Sequence, residues 1–551
     1  MAAARDPGVR LAETAPETYR YPLLIKQLLH SPLATSPAEQ IVYRDRFRYR
    51  YSDFAERLPR LGHGLRRLGV DPGSTVAVMD WDSHRFLECY FAIPMSGAVL
   101  QTVNTRLAPD QIRFTLEDAR ARVLLFHRDF LPLVERLRER LAGVKAFVLL
   151  DDGEVLDRPA FVAATYEELI AEPTNGFEFE DFDENAVATT FHTTGTTGRP
   201  KAVVFSHRQI VLHTLAALGA LASAPHGQSF RRGDVYMPLT PMFHVHAWGM
   251  PYVATLLGVK QVYPGRYQPE ELLALRTTEG VTYSHCVPTV LRMVLSTAQR
   301  MNADLRGWTI TIGGSALPPG LAREALAAGI DVHAGYGMSE TGPVLTLARL
   351  DGSSSDPDDV VRRRCLAGLP IPLVDLRVAD ETMRSQPRDG LSTGEVVVRA
   401  PWLTPAYAGD PVASGQLWRG GYLHTQDVGA ILPTGELRIS DRLKDVIKSG
   451  GEWISSLQLE EIISQVPLVA EVAVVGEPDP LWGERPHAHV VPREATDAAR
   501  LAESVRAAVR IEVDRGVLPK YAVPERVTVT AALPKTSVGK IDKRRLRADS
   551  G

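Results

Sequence analysis

His192-Thr193-Thr194-Gly195-Thr196-Thr197-Gly198-Arg199-Pro200-Lys201-Ala202-Val203 follows a short, mostly apolar run at 186–191 that reads as a strand. The two glycines let the backbone turn its N–H groups inward, and the threonine hydroxyls and Lys201 can join them around an anion. That is the chemistry of a phosphate cradle. The Gly-x-x-x-x-Gly-Lys-Ser/Thr spacing of the P-loop is absent, and so is the dinucleotide fingerprint. Taken alone, the stretch also admits a plain Gly/Thr linker, so its surroundings decide.

Upstream, helical and strand patterns alternate. Residues 51–68 carry apolar side chains at helical spacing and stop at Gly69; 75–79 is a strand, 84–95 a helix, 99–102 a strand and 109–119 a helix. The series closes with a strand at 123–126, a helix at 130–141 and a strand at 146–150. Such alternation predicts α/β architecture, with parallel sheets covered by helices. A polar connection at 172–185 leads into the threonine loop. Beyond it come a helix at 210–221, a strand at 235–237, a strand within 305–314 running into Gly313-Gly314-Ser315-Ala316, a helix to 328, and then 331–334 leading into Tyr336–Pro343. After Ser353 frequent Pro and Gly and short alternating runs such as 395–399 predict a β-rich subdomain, with one more strand at 436–440. The last ~110 residues can form a compact α+β domain of their own. The expected division is 1–441 and 442–551.

With 551 residues the chain exceeds what one core usually serves. A net charge of -4 gives no nucleic-acid signature. Cys89, Cys286 and Cys365 are dispersed, which points to a reducing compartment and away from disulfides or a zinc site. No run approaches the ~20 apolar residues of a membrane span, and residues 1–18 lack a signal-peptide core, so a cytoplasmic location is expected.

Four further stretches carry chemistry. Tyr336-Gly337-Met338-Ser339-Glu340-Thr341-Gly342-Pro343 offers an aromatic ring, hydroxyls and a carboxylate able to ligate magnesium, although an ordinary turn has the same composition. Asp427, read as a turn residue, can accept hydrogen bonds from ribose hydroxyls, with Arg442 close behind in sequence. Lys444–Ser456 sets Lys444 and Lys448 about an apolar pair and then places Gly450-Gly451, which suits either a ligand-approaching loop or a simple hairpin. Pro534–Lys540 is a tight loop ending in lysine, followed by a basic run (Lys543, Arg544, Arg545, Arg547) that reads as a solvated tail.

Together and in this order, the motifs resemble the acyl-adenylate-forming (AMP-binding) superfamily over essentially the whole chain. Pro241–Trp248, Lys260-Gln261-Val262 with Pro264-Gly265, and Ser449–Ser456 are most similar to long- and medium-chain fatty-acyl-CoA synthetases. The resemblance implies an AMP-forming acid–CoA ligase with a small, mobile C-terminal domain, using ATP, Mg2+ and coenzyme A. It implies that Thr193, Thr194, Gly195, Thr196, Thr197, Gly198 and Lys201 hold the β- and γ-phosphates, with Thr193 and Glu340 at magnesium. Gly314, Ser315, Ala316, Tyr336, Gly337, Ser339 and Thr341 would surround the adenine and phosphates, and Asp427 and Arg442 the ribose. Lys540 would bridge the carboxylate and the α-phosphate. Lys444 would be the hinge of a domain rotation that withdraws Lys540 and brings in Lys448, Gly450, Gly451 and Trp453 as the pantetheine path. His244, Gly335 and Trp248 would border the acyl pocket, Trp248 as its gate. Long-chain relatives often form homodimers.

Two departures stand out: Ala202 and Gln426 occupy positions where the family usually has glycine. An aryl or short functionalised acid, or nitrite activated for diazotisation of an aryl amine, are the alternative substrates. A non-catalytic nucleotide binder is disfavoured by the intact Glu340, Asp427 and Lys540.

Overall fold

The computed structural model describes residues 10, 12–153, 158–174, 176–193, 199–224, 228–352, 354–449, 452–516, 518–535 and 541–548. Among these residues the strands form four sheets. In the seven-stranded sheet Thr75–Met79, Val99–Thr102, Ala121–His127, Ala146–Leu150 and Val187–Thr193 run parallel, and Lys201–Ser206 closes one edge antiparallel. The nine-stranded sheet has a parallel centre, including Tyr283–Cys286, Trp308–Ile312 and Ile330–Gly337, with antiparallel pairs at both ends.

The alternation read from sequence follows from burial. Helix Tyr51–Arg67 buries Tyr51, Phe54, Leu58, Leu61 and Leu65, one face at helical spacing, and ends in Arg66 and Arg67 where cations suit the carbonyl end. Helix His84–Met95 is buried all round and packs against residues of both large sheets; even its polar residues, His84, Arg85 and Glu88, are buried, so no face is left to solvent. Its first turn is capped by Ser83, whose hydroxyl accepts from Phe86 N–H.

The expected β-rich subdomain is a five-stranded sheet from Asp375–Ala379 to Leu437–Arg442. From Ile447 onward a fourth sheet, with helices Ser456–Ser464 and Ala498–Asp514, encloses its own core of Ile447, Leu459, Val474, Val490 and Val505. The basic run is not a solvated tail. It forms helix Lys543–Ala548 with Leu546 buried; Lys543 pairs with Glu460 at 2.7 Å and Arg547 with Asp445 at 2.6 Å. No described helix is long and apolar enough to cross a membrane.

Candidate active site

The threonine loop joins two paired strand ends. Thr193, last residue of Val187–Thr193, lies opposite Lys201, first residue of Lys201–Ser206. Residues 194–198 lie outside the described residues, as do Gly450, Gly451 and Lys540, and the side chain of Trp453. Ala202 is extended, buried and paired with His192, so the position imposes no need for glycine.

Lys201 Nζ sits 4.7 Å from the centre of the Tyr407 ring, and the Tyr407 hydroxyl donates to Glu340 Oε1 at 2.6 Å. The Glu340 carbonyl accepts from Thr404 N–H at 2.9 Å. Glu340 is buried, and burial raises its pKa above the usual carboxylate range, while Tyr407, Arg442 and Lys201 pull it back. One aromatic residue thus couples the lysine after the loop to the candidate metal carboxylate. Tyr407 and Thr404 belong to no motif, and nothing in the sequence singles them out.

Tyr336 and Gly337 end strand Ile330–Gly337, and Ser339–Thr341 is a single 3-10 turn. The Thr341 hydroxyl lies 2.6 Å from Pro343 O and 3.0 Å from Met338 O, inside its own loop. The Tyr336 hydroxyl donates to Asp427 Oδ2 at 2.7 Å, and Arg442 Nε stands 3.4 Å from Asp427 Oδ1. Asp427 is within strand Tyr422–Ile431, opposite Arg442 in Leu437–Arg442, and not in a turn. Gln426, just before it, has φ 60°, the left-handed region that favours glycine. Gly314 has φ 76°, and Ser315 and Ala316 are exposed beside it.

The acyl candidates gather around one unusual turn. Val245, His246, Ala247 and Trp248 have φ values of 48°, 54°, 46° and 59°, a run costing roughly 1–2 kcal/mol per residue in L-amino acids. The surroundings hold it in place. Asp82 accepts from Met242 N–H at 2.8 Å, the Tyr90 hydroxyl donates to Met242 O, and Thr102 donates to Phe243 O at 2.9 Å. His244, half-buried, enters the turn, and Trp248 lies 7% exposed against Gly313, where a Cβ would meet its Cη2 at 2.9 Å. That Cβ would also stand 3.3 Å from Gly335 O, so two of the predicted positions, Trp248 and Gly335, meet at Gly313.

Lys444 occupies the turn after Arg442, in which Asp445 and Val446 N–H both reach Arg442 O. Desolvation, with Arg442 next, lowers its pKa. Lys448 pairs with Trp453 across hairpin Ile447–Ser449 and Glu452–Ile454. Contacts cross the expected boundary: Asp441 accepts from Ser456 N–H, and Ser455 donates to Ser440 O.

Residues 30–408 match the AMP-binding enzyme family and residues 458–540 the AMP-binding enzyme C-terminal domain. A long-chain-fatty-acid–CoA ligase of Thermus thermophilus is 42% identical over 90% of this chain and 89% of its own length. A 3-methylmercaptopropionyl-CoA ligase of Ruegeria lacuscaerulensis is 36% identical over 91% of each. The crystal structure of an anthranilate CoA ligase with anthranoyl-AMP superposes with a TM-score of 0.83 at 24% identity, covering 96% of this chain and 98% of that one.

Proposed function

The chain belongs to the family of AMP-binding enzymes, and from that premise we propose that its cleft ligates a fatty or similarly apolar acid to coenzyme A. The enzyme is an ATP-dependent acid–thiol ligase. A carboxylate oxygen bonds to the α-phosphorus as pyrophosphate leaves; the thiol sulfur then bonds to the acyl carbon as AMP leaves.

The observation that carries the site assignment is the Lys201–Tyr407–Glu340 linkage. It sets a cation over the ring of one side chain and a buried carboxylate at that side chain's hydroxyl, as binding of a metal-complexed polyphosphate requires. A magnesium ion fits this donor set, because Glu340 is a hard oxygen ligand and the metal takes few ligands from protein. When bound it neutralises charge on the phosphates. Thr193 is the second candidate ligand, and Lys201 with residues 193–198 grips the outer phosphates.

Tyr336, Gly337, Ser339 and Thr341 with residues 314–316 take the adenine side, and Asp427 and Arg442 take the ribose. The 2.7 Å Tyr336–Asp427 bond supports putting base and ribose beside each other. Lys540 stabilises the charge developing on the α-phosphate. We place the domain boundary between Asp441 and Arg442 and the hinge at Lys444; the separate core beyond Ile447 supports this. Lys448, Gly450, Gly451 and Trp453 then serve the pantetheine arm. His244, Gly335 and Trp248 border the acyl chain, with the indole as gate. A cytoplasmic enzyme, able to form a homodimer and binding no nucleic acid, completes the reading.

The test is pyrophosphate release from ATP, with and without coenzyme A, across fatty acids, aryl acids and nitrite. Release with a fatty acid, and thioester formation once coenzyme A is added, is the expected result. Release with nitrite and an aryl amine, independent of coenzyme A, would overturn it.

A further inference from the structure

The strand end that carries Thr193 is buttressed from behind. Side chains alternate across a strand, and Thr193 pairs with Lys201, which reaches Tyr407 on one side of the sheet. His192, paired with Ala202, turns to the other side and meets helix Pro109–Asp118. Its Nε2 lies 2.9 Å from Asp118 Oδ2, and its ring meets Phe114 edge-on, with 6.3 Å between centres. From the other end of the threonine loop, the Arg199 guanidinium sits 5.5 Å from the centre of the same Phe114 ring. Both flanks of the loop thus dock on residues 114 and 118, one turn apart on a single helix face.

The docking is locally unfavourable at both partners. Asp118 is the last residue of its helix, whose final turn holds no basic residue, so its carboxylate stands at the partly negative carbonyl end. The His192 side chain is only 2% exposed, and burial lowers its pKa against the pull of Asp118, so the ring is neutral at pH 7. A neutral imidazole has one N–H and one lone pair. Asp118 takes the N–H at Nε2, which leaves the Nδ1 lone pair buried without a hydrogen-bond partner. An apolar side chain would fill this strand position without that cost. A pair that breaks two local rules beside the strand end bearing Thr193 marks a functional constraint, because consistent packing alone would not select it.

We propose that His192, held by Asp118, and Arg199, held by Phe114, are positioning residues for the nucleotide half of the site: they fix Thr193 and Lys201 in place before a polyphosphate arrives. This rests on the reading of Thr193 and Lys201 as phosphate-binding residues. Neither His192 nor Asp118 touches the nucleotide. Backbone pairing already registers the two strand ends with each other, and Thr193 Oγ1 lies 3.5 Å from Lys201 O. The helix supplies a fixed point outside that pair. Preorganisation of this kind lowers the ordering cost of binding, so its loss shows in affinity for the nucleotide.

The experiment measures the Kd for MgATP by titration calorimetry, with the KM for MgATP alongside it. Asp118→Ala, at an exposed helix end, and His192→Leu should each weaken binding by about 10-fold or more, the loss expected for a hydrogen bond to a charged group. His192→Gln, which can still donate to Asp118, should recover most of it, and Phe114→Leu should cost about 3-fold. The double variant Asp118→Ala/His192→Leu should bind no more weakly than either single one, since both remove the same interaction. The KM for the acid and the rate of thioester formation from supplied acyl-adenylate should stay within about 2-fold, a split that a general loss of folding would not give. An unchanged Kd in both single variants, additive losses in the double variant, or an equal loss in the thioester step would each overturn the proposal. Failure of the unaltered protein to bind MgATP would instead overturn the nucleotide reading, and this proposal with it.

Discussion

The Tyr407 hydroxyl donates a 2.6 Å hydrogen bond to the buried Glu340 carboxylate. The bond favours the ionised acid, against the burial that raises its pKa. Tyr407→Phe keeps the ring under Lys201 and removes only this donor. A hydrogen bond to a charged group contributes about 1.5–3 kcal/mol, so the magnesium concentration needed for half-maximal pyrophosphate release should rise roughly 10-fold or more. The KM for the acid should not move. A titration of rate against magnesium checks this; an unchanged midpoint would detach Tyr407 from the metal.

Gly313 is reserved by the indole of Trp248. A Cβ there would lie 2.9 Å from Trp248 Cη2 and 3.2 Å from Cζ3. Gly313→Ala should therefore displace the ring and alter its fluorescence. It should reduce kcat/KM for long acids by about 10-fold, a cost typical of overpacking, and affect short acids less. Adding Trp248→Ala should restore the long acids. Equal losses for all chain lengths would mean that the indole does not border the acyl path.

At Gln426, where the resemblance implies glycine, the backbone has a left-handed φ of 60°. The side chain is exposed, while its N–H reaches Glu395 and its carbonyl accepts from Leu443. Only backbone atoms matter here, so Gln426→Gly should leave the KM for ATP unchanged. Relief of left-handed strain outweighs the added chain entropy, for a gain of up to about 1 kcal/mol. Gln426→Val should lower the thermal midpoint. Thermal unfolding of both variants separates this from a ribose-contacting role, which would show in the KM.

The strands and helices of the first half were legible because their apolar periods are those of parallel strands and of one-faced helices such as Tyr51–Arg67. The stretches read as nucleotide-site candidates stood out because each packs glycine, hydroxyl and charge into a few adjacent residues. Tyr407 and Asp82 escaped notice, since each acts across the fold from a segment without a motif. The left-handed turn at Val245–Trp248 also escaped: a β-branched residue and an indole argue locally against that conformation, and only tertiary bonds from Asp82, Tyr90 and Thr102 impose it. The basic helix Lys543–Ala548 was misread for a related reason. Its partners, Asp445 and Glu460, lie far upstream, and charge pattern alone cannot reveal them.

Lys540 tests the division of labour between two half-reactions. Lys540→Ala should slow adenylation by roughly 10²–10³, as removal of one preorganised charge-stabilising donor does. Conversion of a supplied acyl-adenylate to the thioester should continue at nearly its normal rate. Single-turnover assays started from acid and ATP, or from the adenylate and coenzyme A, separate the steps. Equal losses in both would sink the assignment.

Asp82 ties the Val245–Trp248 turn to pH. Its carboxylate is buried, accepting from Met242 N–H at 2.8 Å and from the Tyr267 hydroxyl at 2.6 Å. Burial, reinforced by Asp80 and opposed by Tyr267, Met242 and Arg106, raises its pKa to about 7 from 3.8. The folded chain therefore holds a proton between those values that the unfolded chain has released. Asp82 contributes stability that is fully present below its unfolded pKa and lost as pH rises from about 4 through about 7, with a slope approaching about 1.4 kcal/mol per pH unit inside the window. This opposes the trend from groups such as Asp152, whose pKa is lowered by His127, Tyr43 and Arg85 against the desolvation that would raise it. Asp82→Asn keeps a carbonyl oxygen for Met242 N–H and cannot titrate. Relative to the parent, the variant should gain stability as pH rises from 4 to 7 and show no further change above 8. Parallel stability profiles would mean that the proton is held elsewhere, and that the Val245–Trp248 turn is anchored by an acid ionised throughout.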